Sequence, residues 1–162
     1  MNNRHKIAFF LNIVLSIILM IIIFSFSMES GTDSANRSGS VKEMLLALLS
    51  PVLPDVIISF LDEHIRQIAH FTLYFALGIT SGITIREWRI IRVSPANPVI
   101  TYLPALPFCI LYAISDEIHQ YYVPGRSCRL YDIGIDTLGA ALSISILIII
   151  EIIIRNTHKK AT

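Results

Sequence analysis

The side chains able to do chemistry in this chain fall in three short stretches. The first carries Arg66, His70 and Tyr74 at i, i+4 and i+8, a spacing that puts all three on one helical face. The second runs Asp116, Glu117, His119 and Gln120, and reaches Arg126 past a Pro124-Gly125 turn. The third places Asp132, Asp136, Gly139 and Ser143 on a single helical stripe. His70, Asp116, Glu117, His119 and Asp136 are the candidate catalytic groups. Imidazole and carboxylate can exchange protons with a substrate, or hold a metal ion that activates water. Arg66 and Arg126 suit a different task, because guanidinium forks match phosphate and carboxylate. Tyr74, Gln120 and Asp132 would complete such a binding pocket.

Each stretch also has a plainer reading. His70 alone fits a hydrogen-bonded interhelical histidine, the Asp116 region a solvated helix end, and Asp136 a structural ion pair. Their coincidence at one side of the molecule argues for a shared site. If the second stretch is helical, Asp116, His119 and Gln120 share a face with Tyr112, and Glu117 points away. Asp136 sits a turn deeper than Asp132 and needs a partner, with Arg126, Arg66 and His70 the candidates. The spacing matches no metal signature such as H-E-x-x-H, and no Gly-x-Ser-x-Gly element supplies a nucleophile. Metal and cofactor requirements stay open.

The elements that must position these groups are apolar. The chain is 54% hydrophobic and 15% charged, against roughly 45–50% and 25% in soluble domains. A hydrocarbon core of about 30 Å takes about 20 apolar residues as helix. Spans are expected at about 7–26, 68–85, 99–115 and 133–154, giving an all-α, polytopic bundle in one domain over 7–154. The first is too long for the apolar region of a signal peptide. Arg4, Lys6, the 86–97 loop and the C-terminal tail together hold eight bases against Glu87 and Glu151, whereas the opposite face holds five bases and ten acids. The positive-inside rule then sets both termini in the cytoplasm and 27–67 and 116–132 outside. Trp88 with Arg89, and Tyr121 with Tyr122, suit membrane interfaces.

Within the 27–67 segment, Val41, Met44, Leu45, Leu48 and Leu49 recur at helical spacing and predict an amphipathic helix on the outer surface. The Asp55–Arg66 pattern resumes beyond Pro51 and Pro54. Gly78 and Gly82, with Gly139, Ala140 and Ser143, permit close helix contact. Cys109 lies in an apolar run and Cys128 in a polar loop, so no disulfide is expected. Beyond scattered hydroxyls and Glu151, no polar residue is expected in the inner halves of the spans, which argues against transport. No basic tract suggests nucleic acid.

Arg66, His70, Phe71 and Tyr74, then Asp116, Glu117, His119, Gln120, Pro124, Gly125 and Arg126, then Asp132, Asp136 and Gly139 together resemble the VanZ-like family of small bacterial membrane proteins. The resemblance runs from about residue 20 to 145 and includes the Phe24-Ser25-Phe26-Ser27 end of the first span. Gln67 stands where a lysine is common, and Ser143 where a glycine is often found. The family's namesake confers teicoplanin resistance, so the resemblance implies a cell-envelope role in the bacterial cytoplasmic membrane. Two readings follow. One is a polar site at the outer face that binds a membrane lipid headgroup or a lipid-linked cell-wall intermediate. The alternative is a metal-assisted hydrolase acting on a lipid-linked substrate.

Overall fold

The structure, a computed structural model, describes residues 3–28, 44, 47–93 and 97–161. Among these residues the chain is helical throughout, with turns and no strand. Helix α1 covers Asn3–Ser27, α2 Asp55–Arg92, α3 Pro98–Tyr102, α4 Ala105–Tyr121 and α5 Leu130–Ala161. Four stretches are long and apolar enough to cross a membrane: Asn3–Ser27, Glu63–Arg92, Pro98–Tyr121 and Leu130–His158. The chain is a multi-pass membrane protein built as an all-α four-helix bundle.

Helix α2 is the axis of the bundle, packing against both α1 and α5, while α4 closes on α5. Its 38 residues rise about 57 Å, well beyond a hydrocarbon core of about 30 Å. Asp55 lies in its first turn, and Arg89 and Arg92 lie in its last, complementing the helix dipole at both ends. Residues 86–92 are therefore helix rather than loop, a correction to the sequence expectation. Regular bonding carries the helix on until Val93 N–H reaches the Arg89 carbonyl at 2.9 Å.

The third span is also more articulated than expected. Asn97 Oδ1 caps the Val99 N–H at 2.9 Å and Pro98 opens α3. Pro104, which has no N–H to give, then separates α3 from α4. The chain turns back after α4 at Gly125, whose φ of 75° lies in the left-handed region that glycine tolerates best. Of the expected surface helix in the 27–67 segment, residues 29–43, 45 and 46 lie outside the described residues. Met44 and Leu48 are exposed.

Ile23, Tyr74, Leu77, Cys109, Ala113 and Ala140 form the main core. The outward sides of the helices stay apolar, as Phe10, Ile17, Ile21, Leu111, Leu138 and Ile149 show. That is the pattern of a bundle solvated by lipid. Ser16 donates to Thr80 at 2.9 Å inside the α1–α2 contact, satisfying two hydroxyls where water is scarce. Contacts between termini establish the order of the ends. His5 of α1 meets Glu87 late in α2, Arg86 meets Glu151 late in α5, and the acidic stretches gather at the other end.

This basic end carries a polar network that joins Glu151 and the Tyr102 hydroxyl to residues just beyond the expected spans. Glu87 is 4% exposed and receives Arg86 together with the His5 ring at 2.6 Å. Glu151 accepts from Arg86 Nε at 3.2 Å, Arg155 Nε at 2.9 Å and the Tyr102 hydroxyl at 3.4 Å. The network exists because α2 stays helical past residue 85 and so carries Arg86 and Glu87 inward against α1 and α5.

Candidate functional site

One close approach sets the geometry of the acidic end. A Cβ placed on Gly139 would lie 2.5 Å from the Phe71 carbonyl oxygen and 3.2 Å from the Phe75 nitrogen. Here α5 rests against the backbone of α2, and only a residue without a side chain allows it. His70 precedes Phe71 on α2, and Asp136 lies one turn before Gly139 on α5. The glycine contact therefore brings these two side chains face to face.

His70 Nδ1 is 3.5 Å from Asp136 Oδ1, with the aspartate completely buried and the histidine side chain 12% exposed. Asp116 of α4 completes a cluster: one ligand-type atom from each of His70, Asp116 and Asp136 lies within 4.8 Å of the other two. Hydrogen bonds do not satisfy this group. His70 Nδ1, both Asp136 oxygens, Asp116 Oδ1 and the Tyr74 hydroxyl are all buried without a hydrogen-bond partner among the described residues. Such atoms each cost about 1–3 kcal/mol when left unsatisfied. Their gathering from three helices is the least typical feature of the molecule.

Gln120 forms a second layer. Its Nε2 donates to Asp116 Oδ2 at 3.0 Å and to Ser27 Oγ at 3.1 Å. Its Oε1 accepts from Arg66 Nη2 at 2.9 Å and from Arg126 Nη1 at 3.2 Å. Arg126 also donates to the Phe26 carbonyl at 2.8 Å. Arg66 stands 4.0 Å from Asp132, and its side chain is 40% exposed. Two guanidiniums thus meet at one neutral oxygen, directly over a buried imidazole and two carboxylates.

Of the sequence candidates, then, His70, Asp116 and Asp136 come together, and Gln120, Arg66, Arg126 and Asp132 cover them. Tyr74 lies beneath, fully buried. Glu117 and His119 do not join the cluster. Glu117 is 0% exposed, but its Oε2 accepts the Arg129 backbone N–H at 2.8 Å, just before α5 begins. Its carboxylate therefore holds the returning chain close to the positive end of the α5 dipole. The His119 ring packs on Phe24 of α1 with centroids 4.5 Å apart. Asp136, offered three partners by the sequence, faces His70. The contributions of α1, namely Ser27 and the Phe26 carbonyl, were not anticipated. The one available signal was the serine closing the first apolar run.

The cluster could hold a divalent metal ion through His70, Asp116 and Asp136, and the arginine layer could hold an anion. A protein-family model described as VanZ/LLP1 matches residues 10–151. No curated protein and no solved structure gives a significant match.

Proposed function

We propose, for a chain that belongs to the VanZ/LLP1 family, that it binds an anionic headgroup at the outer face of the bacterial cytoplasmic membrane. The ligand is a phospholipid or a lipid-linked cell-wall intermediate. The observation that carries this reading is the convergence of Arg66 and Arg126 on Gln120 Oε1. Two guanidiniums converging on one oxygen present a fork whose geometry matches a phosphate, and the Arg66 side chain, 40% exposed, stays open to the surface. The exposed apolar outer sides of the helices carrying the site support a ligand that arrives from within the bilayer.

The orientation follows from the charge count. The end carrying His5, Arg86, Arg89, Arg92 and Arg155 faces the cytoplasm, and the arginine pair faces outward. Occupation of headgroups at that surface hinders teicoplanin, an acylated glycopeptide that acts there, and this is the route by which the protein confers tolerance.

The test has two arms. Protein reconstituted in zwitterionic nanodiscs is titrated with short-chain phosphatidylglycerol and with inorganic pyrophosphate. Saturable binding is expected, weakened in Arg66→Gln and Arg126→Gln. In cells, teicoplanin tolerance should rise with the wild-type protein and fall back with either variant at matched expression. Equal binding and equal tolerance in all three proteins would overturn the reading.

A further inference from the structure

We propose that His70, Asp116 and Asp136 form a binding site for a divalent transition-metal ion, of the Mn²⁺ or Zn²⁺ type. The first argument is geometric. Three ligand-type atoms from three different helices already stand within 4.8 Å of one another, close to the span that one ion with bonds of about 2.1 Å bridges. The second is satisfaction. Asp136 is completely buried with neither oxygen hydrogen-bonded among the described residues, its close polar neighbour being His70 Nδ1 at 3.5 Å. Asp116, 2% exposed, keeps Oδ1 without a hydrogen bond as well. Close-packed helices do not leave carboxylate oxygens facing one another without something between them.

The third argument is charge. Two carboxylates gathered beside an imidazole are costly to hold ionised in a membrane interior. A divalent cation offsets that charge, as bound protons would, whereas a water molecule cannot. Asp116 is also held as a ligand should be: Gln120 Nε2 grips its Oδ2 at 3.0 Å and leaves Oδ1 without a hydrogen bond.

The donor set narrows the ion. One nitrogen and two carboxylates suit borderline divalent ions. Ca²⁺ wants six to eight oxygens, and no thiolate is at hand for a soft ion, since Cys109 Sγ contacts Ser81 Oγ at 3.6 Å instead. Three protein ligands leave coordination positions for water or for an oxygen of a bound anion. This inference does not depend on the headgroup reading, although a metal here would lie under the same arginines through Gln120.

The full chain, purified in detergent and stripped with chelator, is titrated with Mn²⁺ while the free-ion signal is followed by electron paramagnetic resonance. Zn²⁺ is then added as a competitor. One saturable Mn²⁺ per chain, displaced by Zn²⁺, is expected. Asp136→Asn and Asp116→Asn, which keep the side-chain shape, should abolish saturable binding, and His70→Ala should do the same. Gln120→Ala should weaken it roughly 10–100-fold by freeing the Asp116 carboxylate. Glu63→Gln, at an exposed position, should leave it unchanged. Circular dichroism establishes that each variant is folded. Absence of saturable Mn²⁺ and Zn²⁺ binding in the wild type would overturn the proposal and leave a shared proton or a water as the occupant. Unchanged affinity in Asp136→Asn would overturn it too. Arg66→Gln that keeps its Mn²⁺ while losing lipid supports a separate metal site. Wild-type protein that binds lipid but no metal removes the metal site alone.

Discussion

Gln120 donates to the Asp116 carboxylate at 3.0 Å, and that bond decides which way the amide faces. A carboxylate accepts, so the NH₂ must meet it and the carbonyl oxygen must meet Arg66 and Arg126. A reversed amide would set donors against two guanidiniums. One side chain thus joins the arginine layer to the buried acids. Gln120→Leu should lower stability by about 1–3 kcal/mol, since it strands Asp116 and removes the shared acceptor. A thermal melt in detergent reads this directly, and a variant melting with the wild type would show that the bonds contribute nothing.

Tyr74 predicts a change of the opposite sign. Its hydroxyl is buried without a hydrogen-bond partner among the described residues, while the ring packs in the main core. Tyr74→Phe keeps the ring and removes the unsatisfied group. In chelator-stripped protein it should raise stability by about 1 kcal/mol. A loss of stability would mean that the hydroxyl has a solvent partner worth more than its burial costs.

The four spans were legible because apolar residues are blocked into runs of bilayer length, and nothing in the tertiary structure had to be known to see them. The faces of the polar stripes were legible for the same local reason. Which stripe meets which was not. Asp136 had three candidate partners, and the choice of His70 depends on Gly139 seating α5 on the backbone at Phe71. Helical geometry turned Glu117 away from Asp116, yet only the chain reversal at Gly125 explains why it ends buried against Arg129. Glu87 read as a loop acid because the apolar run ends before it. The helix does not end there, and its continuation buries Glu87 beside His5. Local periodicity gives faces and lengths, but neighbours are set by contacts distant in sequence.

The helix contacts predict a graded pair of substitutions. A Cβ at Gly139 meets backbone atoms of α2, which cannot step aside. A Cβ at Gly78 would clash first with the Ser143 hydroxyl, with the Ala140 carbonyl 3.0 Å away. Gly139→Ala should therefore cost about 1–3 kcal/mol and pry His70 from Asp136. Gly78→Ala should be eased by Ser143→Gly in the same chain, because the hydroxyl is then gone. Melting temperatures of the three variants test the order. No rescue by Ser143→Gly would place the obstruction at Ala140.

At the basic end, Glu151 holds Arg86, Arg155 and Tyr102 together. Glu151→Gln removes the charge that strengthens the two arginine bonds and should destabilise the bundle by about 2 kcal/mol. The loss should shrink in high salt, because both arginines are partly exposed. Lipid binding at the far end should be unaffected in protein kept below its melting point. A matched loss of headgroup affinity would show that the two ends are coupled through α2 and α5.

Membrane orientation can be read with the chain's own cysteines. Cys128 is free and exposed in the turn before α5, whereas Cys109 is buried in the core. If the arginine pair faces outward, a membrane-impermeant maleimide added to intact cells should label Cys128 rapidly, and Cys128→Ser should abolish that labelling. Cys109 should stay unmodified until the protein is denatured, since its thiol is packed among Tyr74, Leu77 and Ala113. The opposite orientation predicts labelling of Cys128 only after the cells are opened. That result would put the acidic end in the cytoplasm, against the charge count, and would remove the outer headgroup as ligand.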